Sequence, residues 1–351
     1  MKIAFLYNIR LIPPSLTNEE AQIYAEFDSP VTINGIKKAI ESNNHKVHMI
    51  EANEKAYIKL KKLKEKKEVD LVFNIAEGFY GEARESQIPA MLEMLKIPYT
   101  GSGPLNLAIT LDKARTKEIL TYYKIPNARF KVFYNRTIKN LEELKFPLIV
   151  KPIREGSSKG IKDNCVVRYN KELAKKVDEI ITQFNEPVIA EEFLEGREFT
   201  VAIIEKYGKP RVLPIIEILF DNLPKNMNKI DSYEAKWFYD DPEKGMDPLV
   251  CPAKLTRELK KSIERTCLET YRILDCKDMA RIDIRLNKKG IPNVIEINSL
   301  PGISPDPKVN SRFSKAARTA GIEFNDMIKL IIDSAKRRYN LEEIVKNNSK
   351  Y

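Results

Sequence analysis

The stretch ARIDIRLNKKGIPNVIEINSLPG, residues 280–302, decides the fold of this chain. Its two apolar, strand-like runs are joined by a glycine-containing turn, which predicts an antiparallel hairpin. Because side chains alternate between the two faces of a strand, Asp283, Glu296 and Asn298 should converge on one face, with Arg281 beside them. Three oxygen ligands in one patch suit one or two Mg²⁺ ions that hold the phosphates of a nucleotide. The alternative is a set of solvent-facing strand charges, which is the weaker interpretation because two strands carry them and a Pro-Gly stop follows.

Length and charge limit the classes of protein to consider. At 351 residues the chain should contain two or three packed units. The net charge is +10, but many lysines alternate with glutamate in helix-like runs such as residues 57–70. Such mixed runs are typical of solvated helix faces, and a basic balance also suits an anionic substrate such as ATP. We therefore expect no nucleic-acid partner.

The cysteines, histidines and apolar runs favour a cytoplasmic protein without a membrane partner. The four cysteines lack metal-ligand spacing, which indicates inert thiols in a reducing compartment. His45 and His48 lie in one strand-like run, so a histidine-based metal or nucleophile site is not expected. The first apolar run is too short for a signal peptide, and none reaches the ~18 residues of a membrane span.

The first hundred residues alternate between strand and helix patterns. The predicted strands are 2–7, 46–50 and 70–75, and the predicted helices are 29–43 and 85–95. This alternation predicts a parallel sheet with helices on its faces. Ligands of such sheets gather at the carboxyl ends of the strands, which here are Asn8 and the Ala76-Glu77-Gly78 turn.

The remainder of the chain reads as two further units around a long irregular segment. A second unit begins near Asn106, and a third contains the hairpin. Between them, residues 220–252 are rich in Asp, Asn, Pro and Lys and lack periodicity. A connector of that length predicts a lid or an ordered functional loop.

The loop EGSSKG follows directly on a strand that carries Lys151. Gly156 and Gly160 would let the backbone approach a ligand, and Ser157 and Ser158 add donors. Most Gly-Ser loops are plain hairpin turns, but the preceding lysine favours phosphate binding. The spacing is not that of a Walker A loop.

The segment VIAEEFLEGREFTV, residues 188–201, has two interpretations. Its extended connector could present backbone groups to an adenine edge, and a later carboxylate could bind ribose hydroxyls. It could equally be a strand-turn-strand with exposed glutamates. The segment alone does not choose between them.

Five motifs together resemble those of the D-alanine–D-alanine ligase family of the ATP-grasp superfamily. They are IPYTGSG with LDKARTK, FPLIVKPIREGSSKG, VIAEEFLEGREFTVAI, YEAKW, and ARIDIRL with IEINSLPG. The resemblance extends from Met1 to about Tyr339. It implies an α/β, ATP-grasp fold: a parallel α/β domain over 1–105 and two α+β domains over 106–200 and 201–351, which clasp ATP between antiparallel sheets. The mobile loop would be 220–252.

The resemblance also implies the site residues. The nucleotide set is Lys113 and Lys151 for phosphates, Glu191, Glu192, Phe193 and Leu194 for adenine, Glu198 for ribose, and Lys236 for the γ-phosphate. The metal set, for two Mg²⁺ ions with Mn²⁺ as an alternative, is Asp283, Glu296 and Asn298. The set for the acyl chemistry is Arg281 and the Gly302 N–H at the oxyanion, with Ser157 and Asp28 at the first substrate.

These roles imply an ADP-forming ligation of small amino-acid substrates through an acyl phosphate. The implied protein joins two D-alanines for peptidoglycan synthesis, and it can form a homodimer. Two alternatives stay open: a ligase for other amino acids or a dipeptide, and a nucleotide-binding regulator without turnover.

The substrate side departs from the family pattern at four positions. Asp28 stands for a glutamate, Glu77 for a histidine and Trp237 for a tyrosine, and Pro307-Lys308 stands for a Ser-Leu pair. Each change could be neutral in a D-alanine ligase. Four changes on one side of the site make altered specificity a serious competitor.

Overall fold

The structure is a computed structural model that describes residues 1–10, 26–138, 141, 143–240 and 245–341. The strands are β1 (Lys2–Tyr7), β2 (Lys46–Glu51), β3 (Leu71–Asn74), β4 (Phe130–Phe133), β5 (Leu148–Pro152), β6 (Val166–Val167), β7 (Val188–Glu192), β8 (Glu198–Lys206), β9 (Lys209–Val212), β10 (Ile216–Ile218), β11 (Leu249–Val250), β12 (Met279–Leu286) and β13 (Pro292–Asn298). The α-helices are α1 (Pro30–Ser42), α2 (Ala56–Glu65), α3 (Gln87–Met94), α4 (Pro104–Leu111), α5 (Lys113–Tyr122), α6 (Asn170–Phe184), α7 (Tyr233–Phe238), α8 (Arg257–Ile273), α9 (Arg312–Thr319) and α10 (Phe324–Arg338).

The N-terminal sheet is parallel, as the alternating pattern predicts. Its strand order is β2-β1-β3, so β1 lies in the centre and pairs with both neighbours. Helix α1 begins where the sequence predicts it, because the Ser29 hydroxyl accepts the Thr32 N–H at 3.2 Å. Pro30 occupies the first turn, where no backbone donor is needed. The carboxyl ends of β1 and β3 therefore open toward the same edge.

Two antiparallel sheets follow, as the ATP-grasp resemblance implies. The smaller has the order β4-β7-β5-β6. The larger has the order β11-β10-β8-β12-β13, with β9 paired to the other half of β8. The predicted hairpin is β12 and β13, and a register shift after Asp283 kinks the pairing next to the site.

The helices cover these sheets in layers, and one contact between helices brings the N-terminal and C-terminal parts of the chain together. Helices α5 and α8 contribute to the core on one face of the larger sheet, and α6 covers the smaller sheet. Helix α10 packs against α1 in a core that also contains β1, β3 and part of β8. The N-terminal sheet and the C-terminal helices therefore share one hydrophobic core. The domain boundaries at 105 and 200 stay predictions.

The segment 220–252 is more regular than its sequence suggests. It contains α7, whose first turn is capped by Ser232, and β11, which pairs with β10. A helix of six residues and a strand of two are too short to produce a visible period, which is why the pattern missed them. Residues 241–244 lie outside the described part, and the lid role stays a prediction.

The state of the cysteines and the character of the helices can be compared with the expectations from sequence. All four cysteines are free thiols, and burial raises the pKa of Cys165 and of Cys276 to about 11. Both are therefore protonated at neutral pH, as expected of inert thiols. In the described ranges, no helix is both long and apolar enough to cross a membrane.

Candidate active site

The predicted patch on the β12–β13 hairpin is present. Asp283 pairs directly with Glu296, and Arg281 pairs with Asn298, so the four side chains share one face. Thr200 on β8 stands on the other side of Asp283 and donates its hydroxyl to that carboxylate at 2.6 Å. The patch therefore extends over three adjacent strands.

Asp283 is held ionised within this patch. Burial alone would raise the pKa of Asp283, but the charges of Arg281 and Arg312, with hydrogen bonds from Arg281 and Thr200, lower it below its usual value. Arg281 Nη2 lies 3.0 Å from the carboxylate, and the Asn298 amide nitrogen lies 3.4 Å from it.

These donors fit a hard divalent cation. Mg²⁺ prefers carboxylate and amide oxygens and takes only one or two carboxylates besides water and phosphate. Among the residues that the structure describes, no group of three or more His, Cys, Asp or Glu side chains could hold a metal by itself. The predicted set of two carboxylates and one amide therefore suits a metal that is completed by substrate phosphates.

Lys113 connects the hairpin to the unit that follows the parallel sheet. Its ammonium lies 3.1 Å from Glu296 and donates to the Glu155 carbonyl at 2.6 Å. Asp112 fixes this lysine, because its carboxylate caps α5 and also accepts from Arg154 at 3.0 Å. Lys113 thus begins a helix whose N-terminus points toward the metal patch.

A cleft opens between the two antiparallel sheets, with a volume of about 790 Å³ including its open mouth. It is lined by strands β5 and β7 on one side and by β12 and β13 on the other. Nine residues with predicted nucleotide or metal roles line it: Lys113, Lys151, Glu191, Glu192, Phe193, Leu194, Glu198, Asp283 and Glu296. Its mixed apolar and charged lining suits a bound polar small molecule.

Glu191 lies between two lysines under this cleft. Its carboxylate is 2.5 Å from Lys151 and 2.9 Å from Lys117, which hold its pKa below the usual value although burial opposes this. Lys117 was not among the predicted site residues. The sequence does contain a sign of its role, because Lys117 follows Lys113 by four residues on one helix and so faces the same side.

The connector after β7 uses part of its backbone internally. The N–H groups of Glu192 and Phe193 donate to the carbonyls of Arg129 and Pro147, both at 2.9 Å. A nucleotide cannot use these two donors without displacing a backbone hydrogen bond. Fewer backbone donors of this connector are therefore available to an adenine edge than the sequence suggests.

Glu198 is buried against Arg285, with 2.6 Å between the charged groups. Burial raises the pKa of Glu198 to about 7, although Arg285 opposes this shift. The Arg285 guanidinium also lies over the Phe193 ring, 4.9 Å from its centre. Arg285 therefore positions both a predicted ribose ligand and a predicted adenine neighbour.

The glycines of the EGSSKG loop serve contacts within the protein. A Cβ on Gly156 would stand 2.4 Å from Glu26, whose carboxylate accepts the Gly156 N–H at 2.9 Å. A Cβ on Gly160 would stand 2.7 Å from the Phe184 ring. Both glycines therefore let the backbone approach a carboxylate and a ring of this chain, and the approach of this loop to a ligand stays a prediction.

A second, larger cavity adjoins the cleft, with a volume of about 1840 Å³ including its open mouth. It contains the predicted residues of the acyl chemistry and the remaining metal ligand: Asp28, Ser157, Lys236, Arg281, Asn298 and Gly302. The two cavities share Lys113, Glu155 and Glu296. They therefore meet at the Lys113–Glu296 ion pair.

Lys236 faces this second cavity from α7. Burial and the charges of Arg312 and Arg281 lower its pKa to about 8, against the opposing effect of Asp231 and Asp283. Arg312 itself is buried and pairs with Asp231 at 2.8 Å. Arg312 has no local pattern by which it could be predicted, because its partner is 81 residues away in the chain.

An acidic cluster forms the N-terminal side of the same cavity. Asp28 is joined there by Glu26, Glu77 and Glu85. Burial raises the pKa of Asp28 to about 7, although Arg10 opposes this. Glu26 and Glu85 were not among the predicted site residues, since only the folded sheet edge brings them together.

Comparisons with known sequences point to one family. The sequence model "D-ala D-ala ligase C-terminus" matches residues 119–333, more than half of the chain. An uncharacterized protein of Sinorhizobium fredii, y4sG, is 36% identical over 269 residues, which are 77% of this chain and 75% of that protein. A D-alanine–D-alanine ligase of Aquifex aeolicus is 33% identical over 298 residues, which are 85% of this chain and 92% of the relative.

The fold is also similar to a solved structure. The D-alanine–D-alanine ligase of Bacillus anthracis, crystallised in complex with ATP, has a TM-score of 0.71 and 26% identity. The similarity covers 97% of this chain and 99% of that chain. The chain therefore belongs to the D-alanine–D-alanine ligase family, whose members are ADP-forming ATP-grasp ligases.

Proposed function

We propose that the protein joins two amino acids through an amide bond, with ATP converted to ADP and phosphate through an acyl-phosphate intermediate. The observation that carries this proposal is the meeting of the two cavities at the Lys113–Glu296 pair. A nucleotide in the cleft would present its γ-phosphate there, next to a cavity that can hold two small substrates. D-alanine is the substrate in the names of the relatives, and we propose it as the first candidate here.

The phosphoryl transfer depends mainly on charge and position. A carboxylate oxygen of the first substrate attacks the γ-phosphorus, the bond to the bridging oxygen breaks, and ADP leaves. Lys113 and Lys151 neutralise the phosphates, and Lys236 approaches the γ-phosphate from α7. Asp283, Glu296 and Asn298 would hold Mg²⁺, which supplies further charge neutralisation when it is bound. In this scheme, Glu191 to Leu194 contact adenine and Glu198 the ribose.

The amide bond forms at the same junction. The neutral amine of the second substrate attacks the acyl carbon, the carbon–oxygen bond to phosphate breaks, and the amine releases a proton. Arg281 and the Gly302 N–H stabilise the oxyanion that develops between these events. Ser157 and Asp28 hold the first substrate by its polar groups. In this reaction no protein nucleophile is required.

The alternative without turnover is not supported by the site. Arg281, Lys236 and the metal patch face one junction, an arrangement that nucleotide binding alone does not require. A ligase for other amino acids has support from the acidic cluster. We also propose a cytoplasmic location, where ATP is available, and retain a homodimer as a prediction for sedimentation analysis.

The test is the nucleotide product. Purified protein with ATP, Mg²⁺ and D-alanine should release ADP and phosphate in equal amounts, together with a dipeptide identified by mass spectrometry. Removal of divalent cations with EDTA should stop the reaction, and added Mg²⁺ should restore it. AMP and pyrophosphate as products would contradict the acyl-phosphate mechanism.

A further inference from the structure

The N-terminal side of the substrate cavity carries more carboxyl groups than one amino-acid ammonium can contact. Asp28 precedes α1, Glu77 follows the carboxyl end of β3, and Glu85 lies in a 3₁₀ turn before α3. All three side chains line the cavity. The parallel sheet places them together because its strand ends share one edge.

The cations beside this cluster are already engaged. Arg84 contacts the Glu26 carboxylate at 3.1 Å and donates to the Arg154 carbonyl at 3.0 Å. Lys159 lies between Glu26 and Glu155, at 3.2 and 2.5 Å. Glu26 and Glu155 are therefore neutralised by direct contacts. Glu77 and Glu85 are opposed only by the more distant charges of Arg84 and, at Glu85, of Lys113.

Glu77 and Glu85 have no such partner. Among the residues that the structure describes, neither carboxylate has a hydrogen bond or an ion pair. Burial raises the pKa of Glu77 well above its usual value and that of Glu85 to about 8, and the neighbouring carboxylates add to both shifts. Both side chains are half-buried, and carboxyl groups that face a cavity without a protein donor can accept a hydrogen bond from a ligand.

The orientation of the first substrate follows from the opposite wall. Its carboxylate must lie near Arg281, Gly302 and the metal patch, because the acyl phosphate forms there. Its α-ammonium can then be neutralised by Asp28. A substrate with an apolar side chain, such as alanine, would leave Glu77 and Glu85 unpaired.

We propose that the first substrate carries a second cationic group, as a diamino acid does, and that Glu77 and Glu85 bind its terminal ammonium. This inference rests on the proposed ligase function and specifies its substrate class. The residues that perform the transfer are unchanged by it. An alternative state of the cluster, in which the two glutamates share a proton and face a neutral side chain, is an outcome of the test.

The test compares ornithine with norvaline, which lacks only the terminal amine. Each is supplied in both enantiomers, with ATP, Mg²⁺ and D-alanine, and ADP release and the product sequence are measured. We expect kcat/KM for ornithine as the N-terminal residue to exceed that for norvaline by at least about tenfold, as is typical of a desolvated charge pair. Equal or better use of norvaline or alanine would overturn the proposal, as would ornithine found only at the C-terminal position.

Variants assign the preference to the cluster. Glu77→Gln and Glu85→Gln, made singly and together, should lower the ornithine-to-norvaline ratio by about tenfold or more. Glu82→Gln is the matched control, because Glu82 lies in the same loop with a side chain that is 78% exposed, and it should leave the ratio unchanged. The single variants keep the test decisive if the double variant does not fold. An unchanged ratio in folded variants would overturn the assignment.

The two proposals fail in different ways. ADP formation with neutral amino acids alone would overturn the diamino-acid inference and leave the ligase function standing. No ADP formation with any amino acid, in a protein that still binds ATP by calorimetry, would overturn both.

Discussion

Asp283 shows how this site keeps a buried carboxylate charged. Its two oxygens accept from Thr200 and Arg281, and the nearby Arg312 adds a second positive charge. These interactions offset the desolvation of the Asp283 carboxylate even without a bound ligand. Glu296, directly across the hairpin, has Lys113 as its charged partner.

At this scale we predict the effect of neutralising Glu296. Glu296→Gln should lower turnover by more than about a hundredfold and raise the Mg²⁺ concentration needed for half activity, because a charge that holds the metal is lost. Mg²⁺ titrations of ADP release measure both effects, and circular dichroism checks the fold. Glu269→Gln, at an exposed position on α8, is the control. A folded Glu296→Gln protein with more than about a tenth of the parent activity would refute the metal role.

A second residue-scale prediction concerns pH. Lys236 has a pKa lowered to about 8, set by burial, Arg312 and Arg281 against Asp231 and Asp283. Its charge is present below that pH and is lost above it, so kcat/KM for ATP should fall as the pH rises through about 8. Lys236→Arg keeps the charge and should move the decline to higher pH. A profile in the parent protein that stays level to about pH 9.5 would exclude Lys236 as the γ-phosphate ligand.

At the scale of elements, the segment around α7 is attached to the loop that follows β5. The Ser158 hydroxyl donates to the Asp231 carbonyl at 2.9 Å, and the Tyr233 N–H donates to the Ile161 carbonyl at 2.8 Å. The segment is also held at Asn228, whose N–H donates to Asp163 at 2.6 Å, and at Asp231, which pairs with Arg312 at 2.8 Å. Local opening of the segment would break these contacts.

We predict closure of this segment upon ATP binding, because Lys236 gains its phosphate partner only when the nucleotide is present. Trp237 is the only tryptophan in the chain and follows Lys236 directly, so its fluorescence should shift when ATP and an amino acid bind together. Proteolysis within residues 220–252 should slow at the same time. Lys236→Ala should abolish both changes, whereas Lys225→Ala, at an exposed position in the same segment, should keep them. Emission and proteolysis that do not respond to saturating ligands would contradict the lid role.

Elements also explain which parts of the site could be predicted from sequence. The hairpin patch was predictable because its residues lie within 20 positions of one another and follow the two-residue period of strands. Two ion pairs could not be predicted: Arg312 with Asp231, and Glu26 with Arg84. Each pair joins distant segments, and none of these residues belongs to a local sequence pattern. The departures at Asp28 and Glu77 were visible in the sequence, but the cluster of carboxyl groups appeared only in the folded structure, where Glu85 joins them.

At the scale of the whole molecule, one buried ion pair joins α10 and the segment after the parallel sheet to the larger sheet. Asp278, just before β12, is fully buried and lies 2.7 Å from Arg338 of α10. It also accepts the Gly101 N–H at 2.7 Å, and Arg338 donates to the Tyr99 carbonyl at 2.9 Å. Three distant segments therefore meet at one carboxylate.

We predict that Arg338→Ala destabilises the protein by about 3–5 kcal/mol, because Asp278 would be left buried without its partner. Urea unfolding measures this. Arg337→Ala, the exposed neighbour, should change stability by no more than about 0.5 kcal/mol. Adding Asp278→Asn to Arg338→Ala should recover part of the loss. Equal stability of the two single variants would show that the pair does not join the segments.

The core shared by α1 and α10 has a consequence for synthesis on the ribosome. Ile33, Ile36 and Ile40 of α1 are covered by a helix whose last residue is Arg338. At about 5–20 residues per second, roughly 10–50 s pass between completion of the parallel sheet and emergence of that helix. During this interval the nascent chain exposes an apolar stripe, which a ribosome-associated chaperone would recognise. A fragment released at residue 105 would keep the stripe exposed and aggregate.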